Sequence, residues 1–88
     1  MLQPNLKFVK PLENYKLLLE YENGEVRIFA VEPYISGEWY GELRDVKIFN
    51  TVKVVDNWTV EWQGGQDISP QELYNNSILM NIEEMNNE

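Results

Sequence analysis

The 88-residue chain contains no cysteine and no histidine. The lack of cysteine excludes disulfide bonds and thiolate zinc sites. Together the two absences remove the commonest metal ligand, the commonest general base and the most reactive nucleophile found in enzymes. We therefore expect a protein that is not an enzyme and that binds no cofactor or metal.

Long apolar runs are also missing. No segment approaches the roughly 20 apolar residues of a membrane span, and Met1 to Lys10 lacks the apolar core of a signal peptide. These features predict a soluble, cytoplasmic protein.

Basic residues are scarce, since seven Lys and Arg stand against fifteen Asp and Glu, for a formal net charge of −8. This charge repels phosphate backbones and anionic membranes, so neither nucleic acid nor membrane is expected as a direct partner. It has two readings: the acidity keeps a small protein soluble, or it also attracts a basic protein partner.

The hydrophobic content of 43%, with 12% aromatic residues, is typical of a globular chain. We expect residues 1–74 to form a single α+β domain and residues 75–88 a helical or frayed extension. The fold predicted below is a small antiparallel sheet of two β-hairpins plus an edge strand, with a short helix near residues 45–50 and a capped helix from residue 70.

Asn23-Gly24 is the strongest short signal for a β-hairpin in the chain. A loop of those two residues would join strands at 15–22 and 25–31. The core pairs of this register are Tyr21 with Val26, Leu19 with Ile28 and Leu17 with Ala30. A preceding strand over 6–13 contains Pro11, which cannot donate to a sheet ladder and so favours an edge position.

A second hairpin is predicted from residues 51–55 and 59–62. A two-residue loop would place polar and apolar residues on the same face, whereas a loop over 56–58 separates them. The register of this longer loop pairs Val54 with Val60, Val52 with Trp62 and Lys53 with Glu61.

Two helix starts are indicated. Asp45 is a suitable N-cap for a short helix over 45–50. After a turn at Gly64-Gly65, Ser69-Pro70 predicts an N-cap and a first helical residue, with Glu72 as the return partner of a capping box. This second helix either ends near 75–77 or continues, since Tyr74, Ile78, Ile82 and Met85 recur at nearly helical spacing.

These features resemble a bacterial family, domain of unknown function 2442. The resemblance rests on residues 12–17, 22–29, 43–45 with Phe49, and 60–74, and its most specific part is the segment from Trp62 through Asp67 to the helix at Pro70. Ala30 departs from the aspartate that the family commonly has there. The resemblance implies a small α+β domain, sometimes joined to a helix-turn-helix domain, for which this chain has no segment.

The resemblance also implies a partner protein that is encoded by a neighbouring gene. Family members are often encoded beside a small protein of domain of unknown function 4160, an arrangement that suggests a toxin and antitoxin pair with this family as the antitoxin-like member. The function expected here is thus a non-enzymatic accessory domain that binds a small basic protein encoded nearby; self-association is left open. The alternative is a small-ligand sensor with a pocket between the sheet and residues 33–43.

Five residues are the candidate partner- or ligand-binding set: Tyr34, Trp39, Tyr40, Trp58 and Asp67. Exposed aromatic rings mark interfaces and stacking platforms, although in so small a domain they are equally suited to fill the core. Asp67 is the most prominent carboxylate, but we expect it to accept backbone N–H groups at the corner or at the first helical turn rather than to act as an acid.

Overall fold

The computed structural model describes residues 3–80. The strands are β1 (Leu6–Leu12), β2 (Lys16–Tyr21), β3 (Val26–Ala30), β4 (Lys53–Val55), β5 (Thr59–Glu61) and β6 (Ile78–Leu79). The main sheet is antiparallel with the order β1-β2-β3-β6, and β4 and β5 form a separate two-stranded ribbon. This architecture confirms the α+β class and the edge position of β1.

Three short α-helices connect or follow the strands: α1 (Gly37–Gly41), α2 (Val46–Phe49) and α3 (Pro70–Asn75). The 3₁₀ turns Glu32–Tyr34 and Glu42–Arg44 flank α1. No sequence signal indicates helix over residues 33–43, called the crossing below, because segments this short carry no helical periodicity. Burial of Ile35 and Leu43 holds these turns against the core. Within residues 3–80 no helix has the length and apolar character to cross a membrane.

The first hairpin forms, but its predicted register is wrong by one residue. The N–H of Tyr21 donates to the carbonyl of Glu25 at 2.9 Å, so the loop covers 22–24, with Gly24 at φ +93°. Leu17 consequently faces Phe29, and Leu19 faces Arg27. This register buries Phe29, whereas the predicted one would bury the much smaller Ala30, which is exposed in the structure.

The second hairpin has the predicted register. Lys53 pairs with Glu61 and Val54 with Val60, so the loop over 56–58 is confirmed. Asp56 and Asn57 both have positive φ, a conformation in which these two residue types are enriched. Trp62 directly follows the ribbon; it is buried and its indole N–H donates to the Phe49 carbonyl at 2.9 Å. The ribbon is therefore tied to α2.

Both predicted N-caps are present. Asp45 accepts from the N–H of Lys47 at 3.0 Å, and the Ser69 hydroxyl accepts from the N–H of Glu72 at 3.3 Å. Glu72 does not complete a capping box, because its carboxylate accepts a hydrogen bond from the Tyr34 hydroxyl instead. The three interactions fix where α2 and α3 begin.

α3 ends at Asn75, so of the two alternatives the end near 75–77 is confirmed and the continuation through Ile78 is wrong. Ile78 and Leu79 instead pair with β3 and extend the main sheet. Ile82 and Met85 lie outside the described residues.

The core collects apolar side chains from the sheet, the crossing, the ribbon and α3. Its buried members are Leu6, Leu17, Leu19, Tyr21, Phe29, Val31, Ile35, Leu43, Phe49, Val60, Trp62, Ile68 and Leu73. Leu73 is fully buried and anchors α3 on this core. The opposite face of the main sheet carries Leu18, Ile28 and Ile78 in one cross-strand row, none of which is buried.

Candidate functional site

Trp39 lies on α1 with half of its surface exposed (50%). Its indole N–H donates to the Gly64 carbonyl at 3.1 Å, and its ring lies 5.2 Å from that of Tyr40, centroid to centroid. The indole also reaches the turn at Gly65. A large, partly exposed ring is thus fixed in one orientation on the Gly64-Gly65 corner.

Two tyrosine hydroxyls connect the crossing to the corner and to α3. Tyr40 donates to the backbone carbonyl of Asp67 at 2.9 Å, and Tyr34 donates to a carboxylate oxygen of Glu72 at 2.8 Å. The Tyr34 ring packs against Phe29 with centroids 5.4 Å apart. These contacts bring four of the five predicted site residues, Tyr34, Trp39, Tyr40 and Asp67, onto one surface.

Four exposed carboxylates belong to the same region: Glu38 and Glu42 from the crossing, Asp67 from the corner and Glu72 from α3. The acidic–aromatic surface is defined by Tyr34, Glu38, Trp39, Tyr40, Glu42, Asp67 and Glu72. The Asp67 carboxylate has no hydrogen-bond donor among residues 3–80, so the expectation that it accepts backbone N–H groups is wrong. Its charge faces solvent because the backbone of Asp67, rather than its side chain, makes the contacts of the corner.

The electrostatics of the surface follow from these contacts. Partial burial raises the pKa of Tyr40, and the nearby charges of Asp67 and Glu72 raise it further. The pKa of Tyr34 is also raised, mainly by burial. Both hydroxyls therefore stay protonated and act as donors at neutral pH.

Gln66 lies beneath the acidic–aromatic surface and contacts two of its residues, although it was not predicted as a site residue. Its side chain is fully buried, and its amide nitrogen donates to the Trp39 carbonyl at 2.7 Å and to the Glu42 carboxylate at 3.0 Å. The side-chain oxygen has no partner among the described residues and lies close to Gly64. A glutamine beside two glycines in a polar segment carries no sequence signal for burial.

Trp58 is half-buried in the loop between β4 and β5, where the adjacent Asn57 carbonyl accepts from the N–H of Leu6 at 2.8 Å. Within residues 3–80, Trp58 forms neither a ring pair nor a hydrogen bond with the acidic–aromatic surface. The structure therefore does not bring this predicted residue together with the other four.

A groove of about 370 Å³ lies elsewhere, between the β1–β2 turn and α2. It is lined by Leu12, Glu13, Asn14, Tyr15, Val46, Phe49 and Asn50. Tyr15 has φ +59°, an unfavourable value for an aromatic residue, and its hydroxyl donates to the Arg44 carbonyl at 2.7 Å. The groove does not include the crossing at 33–43.

Metal-binding side chains are scattered over the described part of the chain. Among residues 3–80 there is no group of three or more His, Cys, Asp or Glu placed to hold an ion together. Two carboxylates of the acidic–aromatic surface accept side-chain hydrogen bonds within the chain, Glu42 from Gln66 and Glu72 from Tyr34.

Comparison with known proteins gives one match. The model of a family described as "Protein of unknown function (DUF2442)" matches residues 7–78. No curated protein matches the chain, and no solved structure matches it.

Proposed function

Since the chain belongs to the DUF2442 family, of unknown function, we propose that it is a non-enzymatic accessory domain that binds a small basic protein through its acidic–aromatic surface. The observation that carries the proposal is Trp39, half-exposed yet held by its N–H on the Gly64 carbonyl. A side chain ordered before binding loses little conformational freedom when a partner covers it.

Aromatic residues of this kind supply much of the energy of protein interfaces, because they bury a large apolar area and keep a polar atom for orientation. Tyr34 and Tyr40 support the same role, since their hydroxyls are bound to α3 and the corner while their rings are partly buried against the core and partly exposed. The three rings lie on short turns that the buried Ile35 and Leu43 also hold against the core.

The charge of the surface supports a basic partner. Glu38, Glu42, Asp67 and Glu72 are all exposed, and the chain has a net charge of −8. Complementary charge accelerates the encounter of two proteins and disfavours acidic competitors. In a two-gene pair this chain would be the antitoxin-like member, acting in the cytoplasm on a small basic protein of the domain of unknown function 4160 type.

The test is binding of the purified chain to the product of the adjacent gene, measured by calorimetry. Trp39→Ala is expected to weaken binding about 30-fold, the effect of losing a central interface residue worth about 2 kcal/mol. Phe8→Ala is the matched control, since Phe8 is a similarly exposed aromatic residue (45%) on β1. Equal losses for the two variants, or no binding of the parent chain at micromolar concentration, would contradict the proposal.

A small-ligand sensor is the second candidate function. The groove beside α2 favours it, since its volume of about 370 Å³ lies in the range of ligand sites. Thermal unfolding in the presence of metabolite mixtures tests this candidate, because a ligand that binds only the folded state raises the unfolding temperature. A shift that Val46→Lys abolishes would place the ligand in the groove beside α2.

A further inference from the structure

We propose that the outer edge of β6, which no other strand covers among residues 3–80, pairs with β6 of a second copy of this chain, so that two main sheets join into one continuous sheet. This inference concerns a surface separate from the acidic–aromatic surface and does not depend on the partner proposed above. It follows from the hydrogen-bond pattern of β6, from the side chains at the two edges of the sheet and from the distribution of charge.

One residue of β6 makes no backbone hydrogen bond to β3. The N–H of Met80 donates to the Val26 carbonyl at 2.8 Å, and β6 pairs with β3 through Ile78 with Ile28 and Leu79 with Arg27. Antiparallel ladders alternate between bonded and non-bonded pairs, so Leu79 directs its N–H and C=O away from β3. Within residues 3–80 these two groups have no partner, and another strand can bind them.

The two edges of the main sheet differ in how they are protected. β1 carries exposed Lys7 and Lys10, contains Pro11, and has a register irregularity between Leu6 and Phe8. Charges, proline and bulges are the usual features that prevent strands from pairing at an edge. In addition, the N–H of Leu6 donates to the carbonyl of Asn57. The β1 edge is therefore poorly suited to bind a further strand.

β6 is only two residues long, which itself limits pairing, but it carries no charged residue, proline or bulge. Its side chains are Ile78, 70% exposed, and Leu79, 52% exposed, the highest and third-highest values among the large apolar residues in the described part of the chain. Exposed apolar residues on an unprotected edge are typical of strands that pair between molecules.

The charge distribution identifies the partner strand as a second copy. Two chains of net charge −8 repel each other, so they approach most easily where each is neutral. Residues 73–82 contain no charged side chain. Beside β6, Arg27 on β3 and Glu25, the residue before β3, form an ion pair of 2.8 Å and largely neutralise each other. The edge thus fits an identical neutral strand better than a charged one.

Antiparallel pairing of two identical strands is symmetric. With Leu79 opposite Leu79 of the second copy, each Leu79 N–H donates to the other Leu79 carbonyl, and Ile78 comes to lie beside Met80 of the second copy. The apolar row of Leu18, Ile28 and Ile78 then continues from one sheet to the other. Because two short strands bury little area, the association is expected to be weak.

The experiment is sedimentation equilibrium of the full chain at rising concentration. A dimer mass is expected to appear below about 1 mM, since small interfaces lie at the weak end of protein association. Leu79→Pro removes the outward N–H and leaves the Met80 bond to Val26 in place, so it should weaken the dimer about ten-fold or more. Val46→Lys, a change at an equally exposed apolar residue (57%) on α2, should leave the dimer unchanged.

Exchange of the Leu79 amide proton gives an independent readout that needs no variant. It should slow as the dimer forms. A monomer at every concentration would overturn the proposal, as would slow exchange of this amide in the monomer, which would mean that residues 81–88 or other parts of the same chain cover the edge. Loss of the dimer in Ile78→Lys but not in Leu79→Pro would also overturn it, since the sheets would then stack face to face.

Discussion

The guanidinium group of Arg27 lies over the ring of Tyr74, with its Cζ atom 4.2 Å from the ring centroid. The same guanidinium donates to Glu25 at 2.8 Å and to the Ser77 hydroxyl at 2.7 Å. Arg27 therefore connects β3 to α3 and to Ser77, two residues after the end of α3. This position results from the register of the first hairpin, which turns Arg27 toward α3 rather than toward solvent.

Replacement of Arg27 by alanine should destabilise the fold. The Arg27 side chain is only 14% exposed, so its loss leaves the Glu25 carboxylate and the Ser77 hydroxyl with fewer partners. We expect a loss of about 2 kcal/mol in the free energy of unfolding, typical of hydrogen bonds to charged groups. The measurement is urea denaturation.

Arg44→Ala is the control for this prediction. Arg44 forms a solvent-exposed ion pair with Glu32 at 3.5 Å, and pairs of this kind contribute less than about 1 kcal/mol. An equal effect of the two substitutions would show that the contacts of Arg27 do not stabilise α3.

Gly64 should tolerate no side chain, although its backbone φ is not positive. A Cβ atom at this position would lie 2.7 Å from the side-chain oxygen of Gln66 and 2.8 Å from a carboxylate oxygen of Glu42. Gln66 is fully buried and cannot move aside freely. Gly64→Ala is therefore expected to destabilise the chain by about 2 kcal/mol, as overpacking of a tight site does.

Gly41→Ala provides the matched comparison. Gly41 ends α1, and a Cβ atom there would meet nothing within 4 Å. Alanine in a helix loses less backbone entropy than glycine, so this variant should be neutral or more stable by up to about 1 kcal/mol. Thermal unfolding of the two variants side by side checks the prediction; equal stability would mean that the corner at Gly64 rearranges at little cost.

The register of the first hairpin could not be predicted from the sequence alone. Asn23-Gly24 predicts a hairpin, but glycine with positive φ suits both a two-residue loop and the observed longer one. The choice depends on whether Phe29 or Ala30 is buried, which is a property of the whole core. In the second hairpin each alternative loop placed polar residues differently, so the pattern alone selected the correct register.

The candidate site could be predicted only in part. Aromatic residues at 34, 39 and 40 are evident in the sequence, but their degree of exposure depends on short turns that have no periodicity. Gln66 was missed because polar residues are seldom buried. β6 was missed because Ile78 lies at nearly helical spacing from Tyr74, while pairing with β3 is a long-range contact that local patterns do not reveal.

The loss of folding stability at acid pH should depend on Glu25. The hydrogen bond from the Tyr74 hydroxyl, and then the bond and charge of Arg27, lower the pKa of Glu25 below its usual value of 4.5. A lowered pKa means that this stabilisation is fully present above about pH 4.5 and is lost as the pH falls through the lower folded-state value. Glu25→Gln should therefore flatten the dependence of the free energy of unfolding on pH below about 4.5, as measured by urea denaturation.

Glu22→Gln is the control, since it removes the same charge from an exposed side chain in the same hairpin loop. It should leave the slope at acid pH unchanged. A slope that changes equally in both variants would assign the effect to net charge rather than to the contacts of Glu25.

Tyr21 and Tyr74 should respond in opposite ways to loss of their hydroxyl groups. Their rings meet edge to face at 5.0 Å, yet the Tyr21 hydroxyl is buried without a partner among the described residues, whereas that of Tyr74 donates to Glu25 at 2.7 Å. A buried hydroxyl without a partner costs about 1–3 kcal/mol. Tyr21→Phe is thus expected to stabilise the chain by about 1 kcal/mol, and Tyr74→Phe to destabilise it by about 1.5 kcal/mol, in the same urea denaturation.

The dependence of the free energy of unfolding on alkaline pH is a second test of the role of the Tyr21 hydroxyl. Burial raises the pKa of Tyr21 from 10.0 to about 12. The neutral form is therefore favoured in the folded state, and the stability it contributes is present below about pH 10 and lost as the pH rises toward about 12. Tyr21→Phe should remove most of this loss, because phenylalanine cannot ionise. A Tyr21→Phe variant that loses stability at neutral pH and keeps the alkaline decline would contradict this prediction. The Tyr21 hydroxyl would then have a partner, such as an ordered water molecule, and a different tyrosine would titrate with unfolding.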